Sequence, residues 1–168
     1  MIAAVALGSN LSSAFGDRGE TLREGLRRLD ALGKVTAVSS FYDTEPVGYA
    51  EQPNFLNAAA LLSTDLDPLD LLHGLLEIEQ AMGRDRTVAP AKGPRVIDLD
   101  LLLYGDRVMH SKELMLPHPA MQERRFVLQP LAEIAPAMMH PELKRTIAEL
   151  LAKLLAELLA ELPADLPA

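Results

Sequence analysis

The chain has 168 residues, 49% of them hydrophobic, and a formal net charge of -8. That length supplies one domain's worth of core, able to bury roughly 70% of the unfolded surface, and the acidic balance argues against a general nucleic-acid binder, which needs a net basic face. No cysteine is present, so there is no disulfide framework and no thiolate metal site.

Ile2 to Leu7 reads as a buried strand. With Met1 it is too short for a membrane span and lacks the basic flank and cleavage pattern of a signal peptide, so a cytoplasmic protein without a membrane partner is expected. The strand ends at Gly8-Ser9-Asn10, a turn that either offers backbone N–H groups to an anion or simply leads into a helix. Asp17 with Glu20 resembles a capping box, Leu22, Leu26 and Leu29 follow at helical spacing, and Gly33 stops the helix. Lys34 to Tyr42 is β-rich and predicts a second strand, Asp43 to Asn54 a loop, and Phe55 to Ser63 a third strand. Phe55 and Asn57 share a face of that strand by the two-residue period. On their own they describe core beside a satisfied polar group, yet a flat heteroaromatic ligand needs the same pair, a ring to stack on and an amide to read its edge.

Asp67 caps a second helix with Pro68 at its first position. Leu69, Leu72, Leu75, Leu76 and Met82 line its apolar side, and Gly83 ends it. Glu79 lies one turn before that end, where the helix dipole disfavours an anion, and reads as an exposed helix residue. Arg84 to Lys92 is a loop, and Arg84, Arg86, Lys92 and Arg95 concentrate cations in an otherwise acidic chain. Taken alone, such a loop is a solvated one.

From Gly93 to Asp106 a Gly-Pro turn and a Gly-Asp turn frame an apolar strand interrupted by Asp98 and Asp100. The two aspartates point the same way, roughly 6 to 7 Å apart at their Cα atoms, while Ile97, Leu99 and Leu101 point the other. Apolar residues on both faces further along predict a central strand covered on both sides. Carboxylates there need something positive against them. One candidate is Mg²⁺, as one bridged ion or two side by side, a hard cation that keeps waters and shares its shell with substrate phosphates. The other is Arg95 with a second arginine and no ligand at all. Basic residues beside a hard-metal carboxylate pair are what a nucleoside triphosphate requires.

Arg107 to Met109 and Glu113 to Leu116 read as a short hairpin, and Pro117-His118-Pro119 as a rigid turn. His73, His110, His118 and His140 show no metal-ligand spacing, which sets zinc aside. Pro119 to Ile134 contains a helical stretch with Arg124, Arg125 and Phe126, and Pro136 and Pro141 bound a linker. The last helix, about Thr146 to Leu162, carries leucine pairs every four residues, a stripe that drifts around the helix. Its first turns should pack on the domain; its last turns either pack there too, the ordinary reading, or expose leucines to a second copy in a homodimer, and its acidic polar face argues against membrane attachment. Residues 1–145 form the core and 146–168 the terminal helix and tail of the same domain.

Gly93-Pro94-Arg95-Val96-Ile97-Asp98-Leu99-Asp100-Leu101-Leu102 resembles the signature of the hydroxymethyl-dihydropterin pyrophosphokinases of folate biosynthesis. Further matches flank it in order: Gly8-Ser9-Asn10-Leu11, Ser39-Ser40-Phe41-Tyr42-Asp43-Thr44-Glu45-Pro46, Gln52-Pro53-Asn54-Phe55-Leu56-Asn57-Ala58, Leu116-Pro117-His118-Pro119 and Arg124-Arg125-Phe126-Val127-Leu128. The resemblance runs from the first strand to about Pro141. It implies a single α+β domain with a ferredoxin-like sheet, and the order strand, helix, strand, strand, helix, strand, helix agrees. It also implies transfer of the terminal diphosphate of ATP to the hydroxymethyl oxygen of a dihydropterin, releasing AMP, with these two small molecules as partners.

By the same resemblance Asp98 and Asp100 hold two Mg²⁺ ions and form the catalytic set with Arg84 and Arg95. Arg84, Arg95 and Arg124 neutralise phosphate charge, Glu79 and His118 contact the nucleotide, Phe55 and Phe126 sandwich the pterin, and Asn57 with Thr44 reads its edge. The basic loop closes over ATP, with Lys92 where some members carry tryptophan. Positioning and electrostatics carry the rate, with no dedicated general base, and Asp98 is the proton acceptor if one exists. Two readings of other classes stand beside this one: a nucleotide-binding regulatory module without turnover, and a scaffold that oligomerises through its leucine-rich tail.

Overall fold

The computed structural model describes residues 1–46, 51–84 and 94–162. In chain order its elements are β1 (Ile2–Ser9), α1 (Arg18–Leu29), β2 (Lys34–Val38), β3 (Tyr42–Thr44), β4 (Phe55–Ser63), α2 (Pro68–Ala81), β5 (Asp98–Tyr104), β6 (Met109–His110), β7 (Met115–Leu116), α3 (Arg125–Ile134), β8 (Met139–His140), β9 (Arg145–Thr146) and α4 (Ile147–Ala160). Local chemistry sets the helix starts. Asp17 accepts from the Glu20 N–H at 2.9 Å while Glu20 accepts from the Asp17 N–H at 3.2 Å, the reciprocal cap expected from the sequence. Asp67 caps α2 ahead of Pro68, and Thr146 with Glu149 repeats the reciprocal cap on α4.

The sheet is antiparallel, with strand order β2-β4-β1-β5 and β3 pairing with β4 beyond the end of β2. Because β1 is paired along both sides, its alternating residues sort the core into two layers. Ala3, Val5 and Leu7 join Leu22 and Leu29 of α1 and Leu71 and Leu75 of α2. Ala4 faces the opposite side, with Val127, Leu128 and Leu131 of α3 and Ile147 and Leu150 of α4. The result is an α+β domain with four helices divided between the two faces of one sheet.

Three expectations change. The strand carrying Asp98 is not central: β5 lies at the edge of the sheet. Its apolar residues on both faces reflect helices on either side, together with a bulge. Val5 is opposite Leu101 and Ala4 opposite Leu103, so Leu102 is an extra residue, and both leucines reach the α3/α4 core. The outer side of β5 is covered where the His118 N–H donates to the Leu102 carbonyl at 2.9 Å. The stretch read as one strand from Lys34 to Tyr42 breaks into β2 and β3. The break falls where Ser39 folds onto β4, donating its N–H to the Ala59 carbonyl and accepting the Ala59 N–H on Oγ, both at 2.9 Å. Finally, β1 runs on through Gly8 and Ser9, which therefore belong to a strand and not to a turn.

In α4, Ile147 and Leu150 are buried, while Leu155, Leu158 and Leu159, and Leu162 just beyond the helix, are 38%, 41%, 69% and 55% exposed. Nothing among the described residues supports a homodimer through them. No helix among the described residues is long and apolar enough to cross a membrane.

His140 closes the β8–β9 hairpin as a buried residue whose Nδ1 accepts the N–H groups of Glu142 and Leu143, at 3.3 and 3.0 Å. An accepting Nδ1 requires the neutral ring, and burial is the first cause holding its pKa below the ordinary 6.5. The unfolded chain therefore takes up this proton at a higher pH than the folded chain does. The His140 contribution to stability should be level above the ordinary 6.5 and be lost as pH drops below it, and His140→Gln should flatten that slope in urea titrations at successive pH values.

Candidate active site

The floor of the site forms where the end of β1 meets the starts of β4 and β5. Gly8 lies opposite Asn57 on one neighbour and Asp98 on the other, so these three residues make a row across the sheet. A Cβ at Gly8 would stand 3.0 Å from Asn57 Oδ1, 3.7 Å from Phe55 Cδ1 and 3.9 Å from Asp98 Cβ. The missing side chain is what keeps open the space between an amide, a ring and a carboxylate. Asn57, itself buried, donates through Nδ2 to the Thr44 hydroxyl on β3.

Beside this floor lies a line of alternating charge. Glu79 on α2 is 1% exposed. Its Oε2 accepts both the Leu99 N–H at 2.7 Å and Arg84 Nη1 at 2.9 Å. The same Arg84 nitrogen donates to Asp98 Oδ1 at 2.7 Å and to the Ile97 carbonyl at 3.3 Å. Arg95 Nη1 stands 3.5 Å from Asp98 Oδ2, with its guanidinium carbon 4.9 Å from the centre of the Phe55 ring. Arg84 is thus the second arginine that the ligand-free alternative called for. Asp100 sits one pleat deeper on the same face of β5, opposite Ala6.

The remaining wall comes from later in the chain. A cis bond between Leu116 and Pro117 precedes His118. The His118 pKa is held below the ordinary 6.5, first by burial and then by the Arg124 charge, with Asp98 acting the other way. Both charges therefore act on this ring. Arg124 leads into α3, its guanidinium carbon 5.8 Å from the centre of the Phe126 ring, and Phe126 packs half-buried against the α3/α4 core. Arg125, by contrast, is exposed and donates to Gln129 at 3.2 Å, the solvated role its position suggested.

Comparison with known proteins decides the family. The model of the 7,8-dihydro-6-hydroxymethylpterin-pyrophosphokinase (HPPK) family matches residues 4–136. The chain belongs to the HPPK family. It is 47% identical over 135 residues to the 2-amino-4-hydroxy-6-hydroxymethyldihydropteridine pyrophosphokinase of Bacillus subtilis, covering 79% of this chain and 77% of that one. The protein of the same name from Pseudomonas aeruginosa is 43% identical over 149 residues, covering 88% of each. The Folic acid synthesis protein of Schizosaccharomyces pombe is 41% identical over 150 residues, 89% of this chain but only 20% of that longer protein. Among solved structures, wild-type HPPK-DHPS of Plasmodium falciparum superposes with a TM-score of 0.74 at 17% identity, covering 95% of this chain and 46% of that chain, a likeness of fold.

In this HPPK-family chain, contacts join Thr44, Phe55, Asn57, Glu79, Arg84, Arg95 and Asp98, and charge links His118 and Arg124 to them. Phe126 is connected through Arg124. Arg86 and Lys92 of the basic loop lie outside the described residues. Glu79 departs from its expectation as an exposed residue, because β5 passes close enough to place a buried N–H against its carboxylate.

Two residues gain roles that the sequence reading had not given them. Gly8 is the open floor. Asn10 is a clamp: its Nδ2 donates to Gln52 Oε1 at 2.7 Å and to the Pro53 carbonyl at 3.0 Å, and its Oδ1 accepts the Arg95 N–H at 2.9 Å. Its own N–H is spent on the Arg95 carbonyl at 3.2 Å, which corrects the picture of an anion-binding turn. The sequence signals for Asn10 were an amide at the end of an apolar strand and its place in the matched Gly8-Ser9-Asn10-Leu11, neither of which shows the clamp. Glu79→Ala should destabilise the chain by about 2 kcal/mol in chemical denaturation, because it leaves the buried Leu99 N–H without its acceptor and takes one of two carboxylates away from Arg84. Glu79→Gln, which still offers an acceptor to Leu99, should cost less.

Proposed function

We propose that this chain transfers the terminal diphosphate of ATP to the hydroxymethyl oxygen of a dihydropterin and releases AMP. The observation that carries the proposal is the row Asn57, Gly8, Asp98. It joins a ring-reading half, with Phe55 and an amide held by Thr44, to a phosphate-handling half, with two arginines on one aspartate. A reaction between a flat heteroaromatic alcohol and a polyphosphate needs these two halves next to each other. The succession β–α–β–β–α–β with strand order β5-β1-β4-β2 supports a ferredoxin-like sheet, to which β3 adds a short piece.

The donor set fits magnesium. Asp98 and Asp100 supply hard carboxylate oxygens on one face, and the described residues contain no group of three or more His, Cys, Asp or Glu side chains that could hold a metal ion. Such a pair suits an ion that completes its shell with water and phosphate. When bound, magnesium draws charge from the phosphate oxygens and makes the transferred group more electrophilic; two ions would be held by Asp98 and Asp100. Arg84 and Arg95, which rest on Asp98, turn to phosphate oxygens as substrate arrives, and Arg124 meets the phosphates from the α3 side. Phe55 and Phe126 stack on the pterin while Asn57 and Thr44 hydrogen-bond its edge. Glu79 acts on the nucleotide through Arg84, and His118 contacts it as a neutral ring. Positioning and charge carry most of the rate without a dedicated general base, and Asp98 is the proton acceptor if one takes part.

Incubation with ATP, Mg²⁺ and hydroxymethyl-dihydropterin should give AMP, and only when pterin and metal are both present. ADP would indicate a single-phosphate kinase, and ATP binding without product a regulatory module. Asp98→Ala and Asp100→Ala should keep a cooperative unfolding transition while turnover falls by about 10²-fold or more; wild-type rates in either would refute the metal assignment. Gly8→Ala, which places a methyl 3.0 Å from Asn57 Oδ1, should fold yet raise the KM for pterin, by roughly tenfold, with that for ATP little changed.

A further inference from the structure

The edge reader Thr44 sits on an insecure element. β3 has three residues, pairs only with β4, and lies outside the main path of the sheet. A strand so short makes few ladder bonds, so side chains must fasten it. They do so from both faces. Toward α1, Arg18 donates to Asp43 Oδ2 at 3.0 Å and to the Asn54 carbonyl at 2.8 Å. Toward α3, Glu133 gathers three donors on one carboxylate: Oε2 accepts the Ser40 N–H at 2.8 Å and the Ser40 hydroxyl at 3.1 Å, and Oε1 accepts the Tyr42 hydroxyl.

We infer that Glu133 is a positioning residue for the pterin, fixing the distance between the edge reader on β3 and the ring wall on α3. Tyr42 and Thr44 share one face of β3, opposite Asn57 and Phe55 respectively, so a hold on Tyr42 is a hold on the hydroxyl that meets Asn57. Glu133 lies seven residues after Phe126 on α3, two turns along on the same side of the helix. One rigid element therefore carries both the second aromatic wall and the fastening of the opposite wall.

The charge state agrees with this geometry. The Tyr42 hydrogen bond, then the Ser40 N–H, hold Glu133 below the ordinary carboxylate range, and the same carboxylate pushes the Tyr42 hydroxyl up. Each bond is exposed to water and a single one would count for little. Three converging on one group specify where the strand sits.

This inference rests on the proposed reaction, so the test keeps a readout that needs no turnover. Glu133→Ala should raise the KM for hydroxymethyl-dihydropterin about tenfold, since it removes all three bonds at once and lets β3 shift, with the KM for ATP unchanged within about twofold. Glu133→Gln, which still accepts from Ser40 and Tyr42, should recover part of the loss. Tyr42→Phe should add nothing in the Glu133→Ala background, since it removes the same interaction. Amide exchange at Ser40 should speed up in Glu133→Ala while that of the central strand β1 does not change. An unaltered pterin KM together with unaltered Ser40 exchange would overturn the inference, and so would equal rises in both KM values, the mark of a general loss of structure. If the unaltered chain forms no AMP, the proposed reaction fails, and Ser40 exchange still decides whether the clamp exists.

Discussion

A single buried carboxylate organises the charged half of this molecule. Glu79 has almost no contact with water, and an anion so placed is tolerated only with strong partners. It takes one from the backbone of β5 and one from Arg84, which in turn holds Asp98. The seat of the edge strand, the direction of an arginine and the pairing of the leading aspartate therefore run through one group on the last turn of α2. Glu79, Arg84, Asp98 and Arg95 alternate in sign, so the cluster is close to neutral although two of its members come from a run of basic residues.

The uncharged half is built by omission and by fastening. Gly8 contributes space, and the ladder that holds it there depends on β1 being paired on both sides, since glycine alone weakens a strand. Asn10 then ties the approach to Phe55 to the backbone of Arg95. Arg18 and Glu133 do for β3 what backbone pairing cannot do for so short a strand.

What the sequence disclosed was governed by local periods. The caps at Asp17 and Asp67 involve residues three apart, and the shared faces of Asp98 with Asp100 and of Phe55 with Asn57 follow from the strand repeat. The aspartates stood out because they break an apolar run. What stayed hidden depends on pairings across the chain. Glu79 could not be seen as buried without knowing that Leu99 passes its carboxylate. β5 looked central because helices cover both its faces, and composition cannot distinguish cover by helices from pairing by strands. Gly8 was assigned to a turn because glycine after an apolar run usually marks one, and only the register opposite Asn57 and Asp98 shows the strand continuing. The break between β2 and β3 needed Ser39 to find Ala59.

The row across the sheet also bears on when function can first exist during synthesis. Gly8, Asn57 and Asp98 come from three widely separated parts of the chain, and their alignment requires both long-range pairings of β1. Such contacts form at a cost in chain entropy that local helices do not bear. A growing chain can fold α1 and pair β1 with β4 well before β5 has emerged, yet it then possesses the ring-reading half without its charges. No product of translation that stops short of β5 can hold both halves, so a competent site is a certificate that β1 has found both of its partners.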